Sequence, residues 1–69
     1  MSATRRLEVN GQAVSSPATT VAELIDLLER RTTGTAVAVN GAVVPRRAWA
    51  SHRLADGDRV EIVGAAQGG

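Results

Sequence analysis

"TVAELIDLLERRTTG", residues 20–34, is the stretch of this 69-residue chain in which apolar side chains recur with a helical period. Val21, Leu24, Ile25 and Leu28 fall at i, i+3, i+4 and i+7, one stripe of a helix, while Glu23, Asp26, Glu29 and Arg30 lie mostly elsewhere. Thr20 and Glu23 mark the start. Their T-x-x-E spacing lets each side chain satisfy a backbone N–H left without a partner in the first turn. At the other end Arg30 and Arg31 stand near the negative pole of the dipole, and Gly34 offers a left-handed residue to cap it.

Outward from this helix the pattern changes to strands on both sides. Before it, "RRLEVNGQAVS" (5–15) reads as two short strands around Asn10-Gly11, because Asn-Gly accepts the two positive φ angles of a type I′ hairpin. Leu7 and Val9 alternate with Arg6 and Glu8, so one face is buried and the other wet. "SSPATT" (15–20) is a loop of residues that bond their own backbone. After the helix, "AVAVNGAVVP" (36–45) repeats the hairpin: Val37 and Val39 alternate with alanines, Asn40-Gly41 turns, and Val43 and Val44 form a short strand. Pro45 cannot donate to a ladder and ends it at an edge. "RRAWASHRLADGD" (46–58) is irregular and closes on a turn, and "RVEIV" (59–63) is the last strand, with Val60 and Ile62 pointing one way and Glu61 the other.

This order predicts an α+β fold, a four- to five-stranded sheet with one helix packed across one face. Nine Val, five Leu and two Ile suffice for one such interface. The second face gets no cover from the single helix, which leaves it for solvent or a partner. We read residues 1–63 as one domain and residues 64–69 as a flexible C-terminal tail.

Composition narrows the functions open to such a domain. A chain of this size buries only about 60% of the surface it exposes when unfolded. With no Phe or Tyr and a single Trp, a deep enclosed active site is out of reach, which favours a binding or carrier module over a self-sufficient enzyme. Absence of cysteine removes disulfides and thiolate metal sites. No apolar run has signal-peptide length behind the N-terminal arginines or approaches the ~18 residues of a membrane span. These features predict a cytoplasmic protein that engages no membrane. A formal charge of +1, from eight basic and seven acidic residues, gives no field of the kind nucleic-acid binding uses. All the basic residues are arginine, as a G- and C-rich genome favours. A carboxyl terminus activated toward amines therefore meets no lysine in its own chain.

The side chains offer little chemistry. His52 has no cysteine or second histidine with which to share a metal and reads as a surface-loop residue; beside Ser51 alone it makes no triad. Asp56-Gly57-Asp58 lacks the spaced ligands and closing Glu of a calcium loop and reads as a turn. No phosphate-binding glycine motif is present. Arg46-Arg47 with Trp49 is too sparse for a base-stacking platform; Trp49 is expected to close one end of the core with the arginines on its rim. No catalytic or metal-binding residue is thus expected.

The terminus is different. "GAAQGG" (64–69), extended, carries its carboxylate about 20 Å beyond the last strand. Lacking Cβ atoms, Gly68-Gly69 can enter a channel too narrow for other residues. The carboxylate, with a pKa of about 3.5, is a poor electrophile, but adenylation converts it into a mixed anhydride that sulfur or an amine can attack. Partners would supply all of that chemistry.

"AVAVNGAVVPRRAW" (36–49), "LADGDRVEIV" (54–63) and "AAQGG" (65–69) together closely resemble the ubiquitin-like β-grasp sulfur carriers of bacteria, and among them the ThiS family of thiamine biosynthesis. The resemblance runs from Leu7 onward. Its most family-specific element is Val-Pro-Arg with a tryptophan shortly after, Val44 to Trp49; the Gly-Asp turn and terminal Gly-Gly are common to sulfur carriers. It implies a mixed β-grasp sheet with the first and last strands parallel in its middle.

The resemblance also implies a cycle. An adenylating enzyme of the ubiquitin-activating type, using ATP and magnesium, activates Gly69. Cysteine-derived sulfur replaces AMP, and the resulting thiocarboxylate donates sulfur to thiazole synthase, to be combined with a deoxyxylulose phosphate and a glycine-derived imine. The chain itself is then a carrier that binds no cofactor. Gly69 carries the sulfur, Gly68 gives clearance, and the uncovered sheet face docks on the enzymes. Strand alternation nominates Val63 and one of Val43 or Val44 as exposed apolar contacts there. Two other readings remain. The molybdopterin synthase small subunit has the same fold and Gly-Gly end but should be longer and richer in aromatics; a β-grasp interaction domain would not need a free terminal carboxylate.

Overall fold

The computed structural model describes residues 3–28 and 34–64. In chain order these form β1 (Arg5–Val9), β2 (Gln12–Ser16), α1 (Val21–Leu27), β3 (Thr35–Val39), β4 (Ala42–Val44), one 3-10 turn (Arg46–Ala48) and β5 (Arg59–Gly64). The strands make one sheet in the order β2-β1-β5-β3-β4. β1 and β5 run parallel, through Glu8 opposite Arg59 and Val9 opposite Val60; the other neighbours are antiparallel. The expected mixed sheet of the β-grasp fold is present, with the last strand at its centre.

Both hairpins turn where Asn-Gly predicts. Asn10 and Asn40 have φ of 50° and 52°, and Gly11 and Gly41 have 85° and 87°, the two consecutive positive angles that match the twist of the flanking strands.

The helix is shorter than its sequence pattern. Val21, Leu24 and Ile25 are buried as the stripe predicts, and Leu28 closes the end with its N–H directed at the Leu24 and Asp26 carbonyls. Arg30 and Arg31 lie outside the described residues. Gly34 does have a left-handed backbone, φ 76°, but it stands directly before β3 and serves entry into that strand, whereas the residue capping α1 is Leu28.

The segment read as irregular, 46–58, completes the helix N-terminus. The His52 and Trp49 carbonyls accept from the N–H groups of Val21 and Ala22, each at 3.0 Å. Thr20 Oγ1 accepts from the Glu23 N–H at 3.2 Å, and its carbonyl from Leu24 at 3.0 Å. Three donors that a helix start leaves open, those of Val21, Ala22 and Glu23, are thereby satisfied, and the Leu24 bond is the first of the helix itself.

The core lies between α1 and one sheet face: Leu7, Val9, Val37, Val39, Val44, Val60 and Ile62 meet Val21, Leu24 and Ile25, with Ala18, Trp49 and Leu54 closing the ends. Trp49 is buried as expected and donates Nε1–H to the Val44 carbonyl at 2.9 Å. The Arg46 guanidinium lies 5.9 Å from its ring centroid, on the rim.

Candidate functional site: the open sheet face and the exit of the last strand

Strand alternation puts Arg6 and Glu8 of β1, Ala36 and Ala38 of β3, Val43 of β4 and Arg59, Glu61 and Val63 of β5 on the face away from α1. Register arranges them. Ala38 stands between Val43 and Glu61, and Ala36 opposite Val63. Toward β1 the face is charged, with Glu8 opposite Arg59 and their side chains at 4.0 Å; a pair this exposed adds little stability. Toward β3 and β4 it is apolar, with Val43 and Val63 76% and 62% exposed. That apolar half is where β5 leaves the sheet, Gly64 being opposite Thr35.

Of the valines nominated from sequence, Val43 and Val63 lie on this face and Val44 does not. Val44 is only 5% exposed, because its partner in the register is Val37, a residue of the helix-covered face. The nomination of Val44 as a contact is corrected on that ground. Gly68 and Gly69 lie outside the described residues, as does the tail from Ala65 onward; Gly64 is part of β5.

What fixes β5 is a pair of asparagines that sequence reading assigned only to turns. Ile62 donates its N–H to Asn10 Oδ1 at 2.8 Å and accepts from Asn10 Nδ2 at 3.1 Å. At the other end of the strand Arg59 N–H donates to Asn40 Oδ1 at 2.9 Å, and Asn40 Nδ2 donates to Asp58 Oδ1 at 3.0 Å. A turn motif names local backbone angles and carries no signal of a partner 52 residues from Asn10 or 18 and 19 residues from Asn40, so neither set of bonds is legible in it.

The acidic residues nearby are occupied in the same way. Asp56 Oδ1 accepts from Arg6 N–H and Asp58 Oδ2 from Ala55 N–H, both at 2.8 Å, around Gly57 at φ 89°. This is a turn, as expected. His52 sits in the loop after Trp49, half-buried. Among the described residues no group of three metal-ligating side chains comes together. Glu23 is the one described group with a clear pKa shift, held below the usual glutamate range first by the Thr19 backbone N–H, then by the Thr19 hydroxyl, with smaller help from Thr20 and Arg5. Its Oε1 is 2.7 Å from Thr19 N and 2.8 Å from Thr19 Oγ1. It caps the helix.

A profile of the ThiS family matches residues 3–69. The chain belongs to the ThiS family. It is 41% identical over 61 residues to the sulfur carrier protein ThiS of Escherichia coli (strain K12), a match covering 87% of this chain and 92% of that one. In three dimensions it is similar to the crystal structure of the thiamine biosynthesis protein ThiS of Geobacter metallireducens, with a TM-score of 0.78 and 31% identity over 93% of this chain and 99% of that one. The described site is an apolar patch, Val43 and Val63, on the open face of the sheet, with Val63 directly before Gly64.

Proposed function

We propose that the chain is a sulfur carrier of thiamine biosynthesis whose Gly69 carboxylate is the reacting group. Its carboxylate oxygen attacks the α-phosphorus of ATP on an adenylating enzyme, and pyrophosphate leaves. Hydrosulfide-level sulfur derived from cysteine then attacks the acyl carbon, AMP leaves with the former carboxylate oxygen, the S–H proton is lost, and a thiocarboxylate remains for thiazole synthase. ATP and magnesium belong to the enzyme. The carrier contributes a docking face, Val43 and Val63, and a tail ending in Gly68 and Gly69 that is slim enough for a narrow channel.

One observation carries the reading beyond family membership: exposed Val63 directly precedes Gly64 at the end of β5, and exposed Val43 lies on the same open face, level with Glu61. A partner bound there has the terminal segment delivered beside it. The carboxylates of Glu23, Asp56 and Asp58 and the indole of Trp49 are engaged in holding the fold, which supports a carrier whose chemistry lies in its partners. Among the described residues no helix is long and apolar enough to cross a membrane.

A molybdopterin-type carrier shares the terminal chemistry, so the delivered product distinguishes them: thiazole formation by thiazole synthase should depend on this chain. A peptide tag appended after Gly69 tests the free terminus. The carrier reading predicts that thiazole formation stops; a tagged chain that still supports it would indicate an interaction domain.

A further inference from the structure

The parallel ladder between β1 and β5 ends at Val9 opposite Val60, yet Ile62, two residues on, still has its peptide groups facing β1. They must face that way. Along β5 the groups of Arg59 are directed to the β3 side, where Asn40 N–H donates to the Arg59 carbonyl at 2.7 Å, and alternate residues of a strand face opposite edges. Asn10 fills the gap. Its backbone N–H donates to the Val60 carbonyl at 2.9 Å, and its carboxamide then acts as one more peptide unit, accepting from Ile62 N–H and donating to Ile62 C=O. Only one orientation of the amide satisfies both bonds. Ile62 is buried, so without Asn10 a donor and an acceptor at the end of the central strand lose their partners, or the strand end moves to find water.

We propose that Asn10 is a positioning residue for the reacting terminus: by pinning Ile62 it fixes the point and direction from which residues beyond Gly64 leave the domain. The inference rests on the carrier reading above. Small errors at the origin of an extended tail grow toward its end, and a reacting atom misplaced by about 1 Å can cost up to ~100-fold in rate. Docking is affected less than positioning, since Val43 lies on β4, away from Asn10, and Val63, next to Ile62 in β5, is still paired with Ala36 of β3.

The fold supplies its own control. Asn40 also makes two side-chain bonds, exposed ones at the far end of β5, to the Arg59 N–H and the Asp58 carboxylate, in a matching Asn-Gly turn. Asn10→Gly and Asn40→Gly both keep a residue suited to positive φ and both delete two hydrogen bonds. They are to be compared in thermal stability, in amide exchange at Ile62, and in steady-state kinetics of thiocarboxylate formation with the adenylating enzyme, ATP and a sulfur donor. The expected result is a larger loss of stability for Asn10→Gly, whose bonds are part-buried, with both variants folded at the assay temperature. Ile62 exchange should be faster in Asn10→Gly alone, and kcat should fall about tenfold or more in that variant with KM little changed, against less than about twofold for Asn40→Gly. Equal losses of kcat in the two variants, or a loss confined to KM, would overturn the proposal. Should the glycine variants not fold, Asn10→Asp, which keeps the bond from Ile62 N–H and loses the one to the Ile62 carbonyl, is compared with the wild type in the same three measurements. A wild-type chain that gains no sulfur would instead overturn the carrier reading and this inference with it.

Discussion

Val43 and Val44 are adjacent and chemically identical, and their fates should differ completely under the same substitution. Val43→Asp places a charge on the exposed face and should leave the melting temperature nearly unchanged while lowering sulfur transfer; Val63→Asp should behave alike. Val44→Asp buries a carboxylate beside Val37 and should unfold the domain, as far-ultraviolet circular dichroism will report. Normal transfer by the first two variants would remove the docking role. Alternation in the sequence was enough to place Val63 on the exposed face but left Val43 and Val44 undecided, because β4 has only three residues, too few to set its own phase. The register to β3 decides between the two valines, and register is a non-local property. The cap at Thr20 is legible in full from T-x-x-E, except that Glu23 reaches Thr19 and not Thr20 as its main partner. Thr20→Ala should cost about 1 kcal/mol in urea unfolding. Because the Glu23 pKa is lowered in the folded chain, its contribution is present above the unfolded pKa and is lost as pH falls through the lowered value. Unfolding measured from neutral to acidic pH should show that loss in the wild type and not in Glu23→Gln.

At the scale of elements, the hairpins and the start of the helix are written in short local patterns, and these were readable. Residues 46–58 were not, because what orders them is the helix start they pack against: Trp49 and His52 carbonyls serve Ala22 and Val21, and Leu54 joins the core. No periodicity encodes such a docking. The segment should therefore unfold with the rest of the domain and not by itself. Trp49→Phe removes the donor to the Val44 carbonyl and leaves a buried acceptor unpaired, a cost of about 1–3 kcal/mol. Denaturant unfolding followed by circular dichroism should show that loss in a single transition; a separate early transition would mean that this segment is only loosely attached.

For the molecule as a whole, sheet order explains why a protein with so little side-chain chemistry can serve as a reagent. The last strand is the central one, paired with β1 as far as Val60 and with β3 as far as Gly64, so on the proposed reading the terminus follows a strand built into the middle of the sheet. One face of the sheet builds the core with α1; the other keeps an apolar corner beside the exit. The lack of lysine leaves no side-chain amine in the chain for an activated terminus to acylate. Intact-mass analysis of the chain after incubation with the adenylating enzyme, ATP and a cysteine-derived sulfur source tests this account most directly. The mass should rise by the exchange of one oxygen for one sulfur, and a chain lacking Gly69 should remain unchanged. An unmodified full-length chain, or the same gain in the chain without Gly69, would contradict it.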